Sequence, residues 1–78
     1  MKIIYTKHAE EMLIFRQISK KIVQECVNNP DEILPAREGK KIYLKDFGKN
    51  YLKLVLAHQK DAFIVITTHW LAKKRAEV

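Results

Sequence analysis

Thr6-Lys7-His8-Ala9-Glu10-Glu11-Met12-Leu13-Ile14-Phe15-Arg16-Gln17-Ile18-Ser19 reads as one short helix running directly into the cap of another. Thr6 can accept a hydrogen bond from a free N–H of the first turn. Glu10 and Glu11 follow where acidic side chains suit the positive end of the helix dipole. At about 100° per residue, Ala9, Met12, Leu13 and Arg16 fall on one side, with His8 at the edge of that stripe. The fourth position of an apolar stripe calls for Leu or Ile, and here it holds an arginine. A charge at a core-facing position has to find partners, because burying it unpaired is very expensive. Arg16 is therefore expected to be largely buried and to make at least two hydrogen bonds. Its candidate partners are the carbonyls of its own helix end, a carboxylate such as Asp31 or Asp46, or a bound anion.

Outward from this stretch, Lys2-Ile3-Ile4-Tyr5 has the β-branched and aromatic content of a short strand. The first helix spans about residues 7–16, and Ser19 caps a second over about residues 20–28. Ile22, Val23, Cys26 and Val27 form the apolar stripe of the second, which reads Cys26 as a core thiol. Lys21 and Glu25 are spaced as a solvated pair, and Asn28-Asn29-Pro30 ends the helix. The period then changes from 3.6 to 2. Residues 31–36 suit an edge segment, because Pro35 cannot donate to a ladder. Strands follow over about residues 41–47, 51–58 and 62–70, separated by turns at Gly48-Lys49-Asn50 and Gln59-Lys60-Asp61. Strict alternation sets Leu52, Leu54, Leu56, Ile64 and Ile66 against the helices. The other face then carries Tyr43, Lys45, Tyr51, Lys53, Phe63, Thr67 and His69. The expected fold is α+β: a short N-terminal strand, two helices, then a three- to four-stranded antiparallel sheet packed on them, all one domain over residues 1–78.

Fifteen Lys and Arg against nine Asp and Glu leave a net charge of +6, which favours an anionic partner such as nucleic acid or an acidic protein. No apolar run approaches the roughly 18 residues of a membrane span, so no membrane role is expected. One cysteine cannot make an internal disulfide or a cysteine zinc site. The expected location is cytoplasmic. No Gly-rich phosphate loop or metal-ligand spacing is visible, and neither a cofactor nor a metal is expected.

His8-Ala9, then Arg16-x-Ile18-Ser19 leading into a helix, then Asn29-Pro30-Asp31, then strands ending in Val65-Ile66-Thr67 resemble a small bacterial and archaeal family. That family is known only as a domain of unknown function and is placed with the RelE/ParE toxin-like fold. The resemblance covers about residues 3–72. It implies kinship with the endoribonuclease toxins of toxin–antitoxin systems, with RNA or the ribosome as target and an acidic antitoxin as partner. The family usually has glycine after the arginine; this chain has Gln17.

The expected function is accordingly that of a toxin-like RNA-binding protein, with metal-independent endoribonuclease activity as its chemistry. The alternative is a non-catalytic nucleic-acid, ribosome or protein-interaction module of the same fold. RNA cleavage needs a base for the 2′-hydroxyl proton, a cation for the charge on phosphorus and an acid for the leaving oxygen. His8, Arg16 and His69 are the candidate catalytic residues, since imidazole titrates near neutrality and a guanidinium stabilises developing negative charge. Lys41, Tyr43, Lys45, Tyr51, Lys53 and Thr67 are the candidate nucleic-acid contacts, the lysines for phosphates and the tyrosines for stacking. Lys73, Lys74 and Arg75 form a basic tail. Alternation puts Arg16 under the helix and His69 on the opposite sheet face, so one compact site requires a twist or a bulge at the strand end.

Overall fold

The structure is a computed structural model that describes residues 2–72. In chain order its elements are β1 (Lys2–Tyr5), α1 (Lys7–Phe15), α2 (Lys20–Asn28), β2 (Glu32–Pro35), a single turn of tighter helix (Arg37–Gly39), β3 (Lys41–Asp46), β4 (Asn50–Gln59) and β5 (Ala62–Ala72). The basic tail at Lys73, Lys74 and Arg75 lies outside the described residues.

Both helices start where their caps dictate. Thr6 Oγ1 accepts from the Ala9 N–H at 3.0 Å, and Ser19 Oγ from the Ile22 N–H at 3.2 Å. The end of α1 is equally specific. Gln17 takes a left-handed φ of 54°, a conformation glycine adopts freely, so the turn forms in spite of the side chain. The Ile18 N–H then returns to the Leu13 carbonyl at 2.8 Å and the Gln17 N–H to that of Ile14 at 3.2 Å. These are the paired bonds of a Schellman motif, and Ile18 and Leu13, its apolar contact positions, are both buried.

The sheet has five strands in the order β1-β5-β4-β3-β2. It is mixed, not antiparallel throughout: β1 runs parallel to β5, and the other three pairings are antiparallel. The expected three- to four-stranded antiparallel sheet is present as β2–β5, its edge segment included, and the N-terminal strand β1 adds a fifth, parallel member beside β5. Pro35 stands at the last position of β2, where its missing N–H breaks no ladder.

Two registers decide which side chains share a face. In the β3–β4 hairpin Tyr43 pairs with Leu54 and Lys45 with Leu52. Directly paired residues project to the same side, so Lys41, Tyr43 and Lys45 lie with the leucines on the helix side, opposite to expectation. In the β4–β5 hairpin Leu56 pairs with Val65 but Val55 pairs with Thr67, leaving Ile66 as the extra residue of a bulge. Val65 and Thr68 thus fill the core positions expected of Ile64 and Ile66, which are only half-buried. Leu52, Leu54 and Leu56 are fully buried as expected, against Ala9, Leu13, Val23, Cys26 and Val27. Burial pushes the Cys26 thiol up to about 12, in keeping with an inert core group. Lys21 and Glu25 are not the ion pair of the helical layer; Lys20 reaches Glu10 across the two helices at 3.3 Å.

Candidate functional site

The bulge decides which way Thr67 and His69 point. With Val65 in the core and strict alternation, Thr67 and His69 would also point inward. The extra residue at Ile66 turns both to the open face, where His69 pairs with Lys53. β1 accompanies β5 only over Ala62–Val65, so among the described residues the rest of β5 has no strand on that side. There the chain turns into α1: the Thr6 N–H donates to the Val65 carbonyl at 3.1 Å and its hydroxyl to that of Ile66 at 3.1 Å. α1 packs chiefly on β5.

Two contacts result. Arg16 Nη1 lies 3.2 Å from Nδ1 of His69, and Nε2 of His8 lies 3.3 Å from the Thr67 hydroxyl. Since a guanidinium can only donate, His69 Nδ1 accepts and its proton sits on Nε2. The partner of Arg16 is thus an imidazole, not one of the carboxylates expected. Asp31 accepts from the Asp46 N–H at 2.8 Å, and Asp46 from the Gly48 N–H at 2.8 Å, which fixes the β3–β4 turn. Arg16 is half-buried, not largely buried, and among the described residues its side chain makes one hydrogen bond where at least two were expected. Its Nε is buried without a partner among the described residues. The guanidinium also sits 5.9 Å from the centre of the Phe15 ring.

The electrostatics of the cluster are one-sided. Burial, first, and then the charges of Arg16, Lys53 and His8 lower the pKa of His69 below 6.5, favouring the neutral ring. His8, Arg16, Lys53, Thr67 and His69 therefore offer two imidazoles, two permanent cations and a hydroxyl in one place. Tyr51 lies on the same sheet face, one position beyond the Lys53–His69 pair.

The other expected nucleic-acid contacts are elsewhere. Lys45 reaches over the helix side to donate to the Asn29 carbonyl at 3.0 Å, a cation at the C-terminal end of α2. Tyr43 packs edge-on against Phe63, 6.1 Å between ring centres. Lys41 begins β3 on that same side. The open face read as one surface is therefore two: Lys41, Tyr43, Lys45 and Phe63 on the helix side, Tyr51, Lys53, Thr67 and His69 on the other. Phe15 escaped notice in the sequence because it falls off the apolar stripe. Its position beside Arg16 was the available signal.

The family model of a domain of unknown function, DUF4258, matches residues 5–70. The chain belongs to this family. No curated protein and no solved structure matches it. The segment matched to DUF4258 contains every member of the cluster, from His8 to His69. Among the described residues, no helix of this DUF4258 domain is long and apolar enough to cross a membrane. No group of three His, Cys, Asp or Glu side chains among them is placed to hold a metal ion.

Proposed function

We propose that this domain binds the phosphodiester backbone of RNA at the His8–Arg16–Lys53–Thr67–His69 cluster and cleaves it without a metal. One observation carries the reading: the 3.2 Å contact of Arg16 with His69, beside the His8–Thr67 pair. A phosphate entering here takes hydrogen bonds from Arg16 and Lys53, which also stabilise the extra charge of a five-coordinate phosphorus. Drawing Arg16 onto the phosphate frees the lone pair of His69 Nδ1. His69, held neutral by its setting, then takes the 2′-hydroxyl proton. The 2′-oxygen attacks phosphorus, the bond from phosphorus to the 5′-oxygen breaks, and protonated His8 supplies that oxygen with its proton. The products are a 2′,3′-cyclic phosphate and a 5′-hydroxyl. Thr67 holds the His8 ring in place.

On this reading the chain is a toxin-like domain of the RelE/ParE kind, with RNA or the ribosome as target and an acidic antitoxin as partner. The likeness of the His8-Ala9 and Arg16-x-Ile18-Ser19 elements supports it, as does the net charge of +6. Binding of single-stranded RNA, titrated with salt, tests the site. Affinity should fall steeply with salt, because each neutralised phosphate releases condensed counterions. Arg16→Gln with Lys53→Glu should weaken binding by about tenfold or more and flatten the salt dependence. Unchanged binding in that variant would remove the phosphate site from this cluster and move it to Lys73, Lys74 and Arg75.

A further inference from the structure

Phe15 is the last residue of α1 and is 76% exposed. A large aromatic ring that open to water contributes little to the core, which α1 reaches through Ala9 and Leu13 instead. Its neighbour in space is the guanidinium that contacts His69, so an apolar ring and an anion site lie within the span of one nucleotide. We propose that Phe15 is the stacking platform for one unpaired base, whose phosphate sits on Arg16 and Lys53.

This rests on the RNA-binding reading and adds a substrate class to it: single-stranded or looped-out RNA, with little preference of base. A paired base inside a duplex cannot lay its face on an exposed ring, whereas any unpaired base can. Stacking also holds the attached ribose next to Arg16, the residue that contacts His69. Phe15 would thus be a positioning residue, acting on the base and not on the bond that breaks.

The test compares a short oligoadenylate with an abasic ribose-phosphate oligomer of equal length, at low salt, by anisotropy. Phe15→Ala and Phe15→Leu should each weaken oligoadenylate binding by roughly tenfold, the usual effect of losing one stacked base. Both variants should bind the abasic oligomer as the wild type does, and Phe15→Trp should keep oligoadenylate affinity. Wild-type affinity for oligoadenylate in Phe15→Ala would overturn the platform and leave the exposed Ile14–Phe15 patch to a protein partner. Equal losses on both oligomers would also overturn it, since the ring would then act only through Arg16. A wild-type protein that binds neither oligomer would instead refute the RNA-binding reading itself.

Discussion

At the residue scale the setting of His69 makes the most direct prediction. Its burial and the cations Arg16 and Lys53 all favour the neutral ring, so its folded pKa lies below the ordinary 6.5. The sign follows: as pH falls, the unfolded chain takes up this proton first. The stability due to a neutral His69 is complete above about pH 6.5 and is lost as pH drops through the folded value. Ring-carbon NMR should show His69 titrating below 6.5. Arg16→Gln should raise that midpoint, and Lys53→Gln should raise it by less. A midpoint at or above 6.5 that ignores Arg16→Gln would contradict the contact. That Arg16 and His69 stand out from their elements was legible, because an arginine on an apolar helix stripe and a histidine near a strand end both depart from pattern. Their convergence was not, since it depends on how α1 follows the edge of β5.

The elements were legible where short-range chemistry defines them. Thr6 and Ser19 fix both helix starts, and each cap bond is present. The end of α1 depends on a left-handed residue, and Gln17 supplies it at a cost. An L-residue pays about 1–2 kcal/mol in that conformation, part of which a glycine returns as chain entropy when unfolded. Gln17→Gly should therefore stabilise the domain by about 0.5–1 kcal/mol in urea unfolding, without moving Arg16. Destabilisation would mean that the Gln17 side chain makes contacts worth more than the strain. The bulge at Ile66 could not be read, because no glycine marks it and Val65-Ile66-Thr67 alternates like any strand. One uncounted residue was enough to place Phe63 and Val65 on the wrong side.

At the scale of the whole molecule, two layers and the period change at the middle of the chain were legible from sequence. The long-range choices were not. Parallel pairing of β1 with β5 joins residues some 60 positions apart, and no local pattern encodes it. The hairpin register that sends Tyr43 and Lys45 to the helix side is set by the turn at Gly48, not by their own polarity. The result is a sheet with helices on one face and, where α1 meets the edge of β5, a cluster of cations and imidazoles. Cleavage of a single-stranded RNA by the purified protein, in the presence of a chelator, tests that cluster most directly. The expected result is a fragment ending in a 2′,3′-cyclic phosphate, lost in His69→Ala and in His8→Ala while both variants remain folded. No product from folded wild-type protein, or the same product at the same rate from both variants, would contradict it.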